Sequence, residues 1–193
     1  MAKRRKHDSR NRAASGGGTG AAGDAIFKRR PSGVKSRRRP DGLWELVHPE
    51  MVLEMADDLA EVQSMIDAGE IDVAVDELRW LVEECRDAIE AHYLLGEIAF
   101  EERDFRLARG HFGYACELGW TALPSGGVGG KLSYTLPGNK HLLQSAKGAA
   151  YCLRELGKPK TAVLVLKELL SWDAADTLGA GPLIEKWSTE KAE

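Results

Sequence analysis

Residues 94–115 read LLGEIAFEERDFRLARGHFGYA, and the placing of their small and apolar residues decides the fold. They span the end of one predicted helix, about Ile89–Glu102, and most of another, about Asp104–Leu118, with Arg103 as the junction. A joint this short leaves the chain no length to go elsewhere, so the two helices must fold back as an antiparallel hairpin. Small Gly96 and Ala108 let the helices approach closely, and Phe112 fills the space beside them.

Working outward, the same arrangement recurs on both sides. Val52, Met55, Leu59, Val62 and Ile66 follow a 3-4-3-4 spacing on one helix face, with Pro49 suited to the first turn and Gly69 closing it. A second helix, about Asp72–Glu84, presents Val75, Leu78, Leu81 and Val82. Its Ala74, Leu78 and Leu81 stand 34 residues before Ala108, Phe112 and Ala115. Downstream, GAAYCLRELGKPKTAVLVLKELL at 148–170 forms a third pair, in which Ala162, Leu166 and Leu169 match the same three positions.

A helix–turn–helix period of 34 residues is that of the tetratricopeptide repeat, and the chain resembles that family over about residues 50–172. The middle unit carries the pattern in Leu95-Gly96, Ala108, Phe112 and Ala115; the third supplies Ala149-Ala150 and Ala162, and the first has Val62 in place of the glycine. The resemblance implies an all-α fold of antiparallel helix hairpins stacked as a short solenoid over residues 41–193. Leu183, Ile184 and Trp187 would form a short helix that covers its end. It also implies a concave groove lined by the first helix of each pair. The family's groove positions fall on Gln63 and Asp67, on Glu90, Tyr93, Glu97, Phe100 and Glu101, and on Gln144, Lys147, Tyr151 and Arg154. Repeats that grip a C-terminal carboxylate need lysine and asparagine where Tyr93 and Glu97 stand, so a carboxylate clamp is not expected. Asp67, Glu90, Glu97 and Glu101 beside Tyr93 and Phe100 favour a basic, partly apolar protein segment instead.

The offset from Ala108 to Ala162 is 54 residues, 20 more than one period, which marks an insertion at about 119–139. It contains SGGVGGKLS at 125–133. A phosphate-binding loop needs glycine where Ser125 stands and Ser or Thr where Leu132 stands, with a strand before and a helix directly after. Pro124 and Pro137 bracket the run instead, so a surface loop is expected.

The net charge of −3 conceals a split: residues 1–40 hold 13 Lys/Arg and 2 Asp/Glu, and the rest hold 14 and 28. Few apolar residues precede Val34, so residues 1–40 are expected to be a disordered basic tail. Lys3, Arg4, Arg5, Lys6, Lys28, Arg29, Arg30, Arg37, Arg38 and Arg39 could contact RNA or DNA phosphates, and the tail could equally fold back on the acidic body. Lacking HExxH, CxxC and GxSxG, the sequence gives no reason to expect catalysis, a metal or a cofactor. His92 is read as a partly exposed structural histidine near the groove. Three widely spaced cysteines and the absence of a long apolar run point to a reduced, cytoplasmic protein outside the membrane.

Overall fold

The computed structural model describes residues 26–28 and 31–189. Among them, a two-stranded antiparallel ribbon, β1 (Lys35–Arg38) and β2 (Trp44–Val47), precedes eight helices. The helices are α1 (Glu50–Glu54), α2 (Ala56–Ala68), α3 (Ile71–Glu84), α4 (Ile89–Glu101), α5 (Phe105–Ala122), α6 (Pro137–Glu155), α7 (Pro159–Trp172) and α8 (Ala180–Thr189). Each helix packs on the next from α1 to α6, then α6 on α7 and α7 on α8, and α4 also packs directly on α6. The chain is thus mostly helical, but not purely so.

Three helix pairs close with one and the same turn. Gly69, Arg103 and Gly157 all have left-handed φ, at 80°, 64° and 71°. Each donates its N–H to the carbonyl three residues back: Ile66, Phe100 and Arg154. The following residues, Glu70, Asp104 and Lys158, each donate five residues back, to Met65, Ala99 and Leu153. This pairing ends a helix and reverses the chain in one step. The buried positions recur in phase with the turns. Ala74, Ala108 and Ala162 are fully buried, as are Leu78, Phe112 and Leu166. Ala115 and Ala150 are fully buried too.

Phe112 is the tightest of these contacts. A Cβ built on Gly96 of α4 would lie 2.6 Å from the Phe112 ring, and one on Gly148 of α6 would lie 2.7 Å from its other edge. The ring is therefore wedged between two helices that can come together only because both positions lack a side chain.

Several expectations need correction. The first helix is interrupted at Met55, which caps α1 and starts α2. The insertion is shorter than 119–139, because α5 continues to Ala122 and α6 begins at Pro137. Gly119 lies within α5 against Leu142, where a Cβ would meet the leucine at 2.6 Å. The segment expected to be a disordered tail is ordered over its described part: Phe27 and Val34 are buried, and 35–38 is a strand. Residues 1–25, 29 and 30 lie outside the described residues.

The glycine-rich loop explains how the ribbon is held. Lys131 O accepts from Trp44 N at 2.8 Å, Leu132 N donates to Trp172 O at 2.8 Å, and Gly130 N donates to Ser171 O at 2.9 Å. A Cβ on Gly130 would sit 2.5 Å from that of Ala174, so the close approach demands glycine. Asn139, fully buried, completes the joint. Its Oδ1 accepts from Leu46 N, and its Nδ2 donates to Trp44 O and Ser133 O, all at 2.9 Å. The loop is thus a mount between β2 and the end of α7, with Val128 and Leu132 buried in the core.

Alanine in a helix normally adds up to ~1 kcal/mol over glycine. At Gly96 or Gly148 the sign should reverse, because overpacking against Phe112 costs about 1–3 kcal/mol. Gly110, which has open space around its Cβ position, should show the ordinary gain. Urea denaturation of the three alanine variants checks this, and a gain at all three would refute the wedge. At the turn, Arg103→Gly should raise stability by about 1 kcal/mol, since a Cβ in the left-handed region costs about that much.

Candidate functional site

α2, α4 and α6 share one face of the molecule, and Tyr93 stands at its centre. Three adjoining cavities all have Tyr93 in their walls. The largest, about 650 Å³, lies between α2, the start of α3, and α4. Ile66, Ile71, Leu94 and Ile98 give it an apolar floor, and Asp72, Glu97, Glu101 and Glu102 are its charged lining; it contains no Lys, Arg or His. A second, about 240 Å³, lies between α4 and α6 and is lined by Tyr93, Glu97, Phe100, Lys147, Tyr151 and Leu178 among others. The third, about 460 Å³, joins Gln63 of α2 to Glu90 of α4 and to Lys140, His141 and Gln144 of α6.

The polar contacts tie these helices together across the face. Gln144 Nε2 donates to the Tyr93 hydroxyl at 3.3 Å, and the Tyr93 ring stacks on His141 with centroids 5.2 Å apart. His141 Nδ1 lies 3.5 Å from Glu90 Oε2. Burial lowers the His141 pKa to about 4, helped by nearby Lys140 and His48, so at neutral pH this contact joins a neutral ring to a carboxylate. Burial likewise raises the Glu90 carboxyl, against the opposing charge of Lys140. The Glu97 carboxyl is raised by burial, with the Glu101 charge adding to the effect and a bond from Tyr93 opposing it. The Tyr93 phenol is held above its ordinary range by burial and by the Glu97 charge. The face is thus partly dry and acidic, with Lys140 and Lys147 on its α6 side and no cation in the lining of the α2–α4 cavity.

Most of the positions named from the sequence meet here. Gln63, Glu90, Tyr93, Glu97, Phe100, Glu101, Gln144, Lys147 and Tyr151 all line one or more of the three cavities. Asp67 stands beside them as the acceptor for Gln63 Nε2 at 3.0 Å. Arg154 does not join them: its guanidinium lies over the Trp187 ring at 4.8 Å, where it fastens α8 to α6. Tyr151 also meets Trp187 edge-on at 5.2 Å. Sequence reasoning missed Asp72, Glu102, Lys140, His141 and Leu178. Lys140 and His141 fall in the early part of α6, next to a stretch read as insertion, and Leu178 comes from a connection without periodicity.

Other expected sites fall elsewhere. His92 faces α5 instead of the groove and is buried. Its Nδ1 lies 3.4 Å from His111 Nδ1, and its ring is 4.4 Å from Tyr114. Burial first, and His111 second, lower its pKa to about 4. Of the basic positions proposed for nucleic acid, Lys3, Arg4, Arg5, Lys6, Arg29 and Arg30 lie outside the described residues. Lys28 and Arg38 are exposed, but Arg37 pairs with Glu45 at 2.8 Å, and Arg39 pairs with Asp41 at 3.2 Å and Glu45 at 3.4 Å. The Arg37 bond leads the causes that hold the Glu45 carboxyl below its usual range. Cys85, Cys116 and Cys152 are buried free thiols; burial raises Cys116 and pushes Cys152 up to about 12. Among the described residues no group of three or more His, Cys, Asp or Glu is placed to hold a metal, and no helix is long and apolar enough to cross a membrane.

Comparison of the chain with protein-family models, with curated proteins and with solved structures returns no match.

The histidines set a measurable pH dependence. His92 and His141 have folded pKa values of about 4 against an ordinary 6.5. Between those values the unfolded chain binds more protons, so stability is complete above pH 6.5 and declines as the pH falls toward 4. Urea midpoints taken across that range should fall, and the slope should flatten in His92→Gln. The raised carboxyls of Glu90 and Glu97 act in the opposite sense, so an unchanged slope in the variant would assign the decline to other groups.

Proposed function

We propose that this chain is a non-enzymatic interaction module of the tetratricopeptide type, which holds a segment of a protein partner along the face formed by α2, α4 and α6. The observation that carries the proposal is the single groove centred on Tyr93, in which three cavities meet. Support for the repeat reading comes from the three turns at Gly69, Arg103 and Gly157 and from the buried alanines in phase with them. A partly buried tyrosine with both an apolar ring and a polar tip is the kind of side chain that anchors a protein contact. The carboxylates around it select a basic segment, and the aromatic wall selects one that is partly apolar.

Nucleic-acid binding through the basic N-terminal segment is the second reading. Among its described residues, Lys28, Lys35, Arg37 and Arg38 are exposed, and Arg37 and Arg39 pair with Glu45 and Asp41. No described residue supplies it with a built site.

The groove reading is tested by affinity capture with full-length protein after nuclease treatment, comparing wild type with Tyr93→Ala and with Glu83→Ala on an exposed site of α3. Loss of an anchoring aromatic should weaken a specific partner by about 30-fold, while a change at an exposed neutral position should have almost no effect. Recovery of the same proteins by Tyr93→Ala, with its far-ultraviolet circular dichroism intact, would remove the groove from consideration.

A further inference from the structure

The two cavities on either side of α4 differ in charge, one acidic and the other balanced by Glu97 and Lys147, although Tyr93 and Glu97 form part of both. The α2–α4 cavity offers four carboxylates over an isoleucine and leucine floor, and no cation lines it. That combination fits a long side chain with an aliphatic stem and a positive head, and the Tyr93 ring at its edge adds a face for the cation. The α4–α6 cavity is smaller and is walled by Phe100, Tyr151 and Leu178. Its one carboxylate, Glu97, is offset by Lys147, which disfavours a second cation, so an apolar side chain is the better match there.

On the strength of the groove reading, we propose that the ligand is an extended partner segment read in two places. An Arg or Lys enters the α2–α4 cavity, and an apolar side chain beyond it in sequence enters the α4–α6 cavity. Charge complementarity sets the assignment: Glu97, Glu101, Glu102 and Asp72 attract the cation, and Lys147 excludes one from the neighbouring site. The shared wall sets the spacing. In an extended chain, side chains on the same side recur every second residue, ~7 Å apart, and packed helices are separated by ~8–10 Å. The two anchors are therefore two residues apart, with the intervening side chain pointing away from the groove. The bound segment crosses α4 instead of running along it.

The cation also relieves a cost already present in the free protein. Burial disfavours the ionised form of Glu97, and the Glu101 charge disfavours it further. A guanidinium or ammonium in the cavity supplies the missing counter-charge, so binding should tighten as the pH rises through the range where Glu97 ionises and should weaken at high salt.

The test uses the full chain and fluorescently labelled glycine–serine peptides that carry one Arg and one Phe two residues apart, read by anisotropy. Replacing the peptide Arg by Gln, or its Phe by Ala, should each weaken binding about tenfold. In the protein, Glu97→Gln with Glu101→Gln should abolish sensitivity to the peptide Arg while preserving sensitivity to the peptide Phe. Lys147→Glu should do the converse and admit a peptide with two Arg residues, a gain that a folding defect would not produce. Equal binding of the Arg and Gln peptides would overturn the proposed chemistry. Failure of every peptide, while Tyr93→Ala still loses captured partners, would overturn the two-anchor ligand and leave the groove standing. Retention of those partners by Tyr93→Ala would overturn the groove itself. Binding that appears only after removal of residues 1–25 would assign the groove to the chain's own KRRK segment and would also overturn the proposal.

Discussion

The ring of Phe112, held between Gly96 and Gly148, is the contact on which the rest of the molecule depends. Side chains at either glycine would force α4 and α6 apart, because a Cβ there would lie well inside van der Waals distance of the ring. With both positions empty, α4 packs directly on α6. That approach brings Gln144 to the Tyr93 hydroxyl and stacks His141 on the Tyr93 ring. It also makes Gly148 part of the wall of the α4–α6 cavity. Packing at the back of the helices thus fixes the geometry of the face in front. α2 and α4 meet differently and leave the larger acidic cavity between them.

The face is electrostatically unfinished. Glu90 and Glu97 are both raised by burial, and the Tyr93 phenol is raised beside them. Burial takes part of the solvation from these two carboxyls, which disfavours their ionised forms. Elsewhere the chain does make such pairs: Arg37 and Arg39 satisfy Glu45 on the ribbon, whose carboxyl is lowered accordingly. Glu45, paired with arginine, is lowered, whereas Glu97, at the exposed edge of the groove beside Tyr93 and Glu101, is raised.

The ribbon and the glycine-rich loop form a second structural unit around the same helices. Phe27, Val34 and Leu46 bury themselves in the cluster that contains Trp120, Leu142 and Trp172. Local apolar content was a poor guide to order here. So few apolar residues cannot support a core of their own, but they suffice when they land on a surface already built by α5, α6 and α7. Backbone bonds from Lys131 and three bonds through Asn139 supply what side-chain burial alone would not. In the run SGGVGGKLS, chains pass close together at Gly130, and Gly127, Gly129 and Gly130 take left-handed φ.

The sequence by itself determined the helices and their pairing. Apolar spacing is a local property of a 3.6-residue period, and the 34-residue offset between Ala74 and Ala108 records the combined length of a helix pair and its turns. The positions Gln63, Glu90, Tyr93, Glu97 and Gln144 came from the family resemblance, and the structure places them along the walls of three adjoining cavities. Only the tertiary structure decided what depends on contacts between distant segments. Gly148 looks like any helical glycine until Phe112 is placed against it, and Gly157 joins Gly69 and Arg103 as a common turn only when their hydrogen bonds are seen. Arg154 left the groove because Trp187, 33 residues further on, arrives to cover it. Periodicity fixes which side of a helix is buried; which partner buries it is set by the packing of the whole chain.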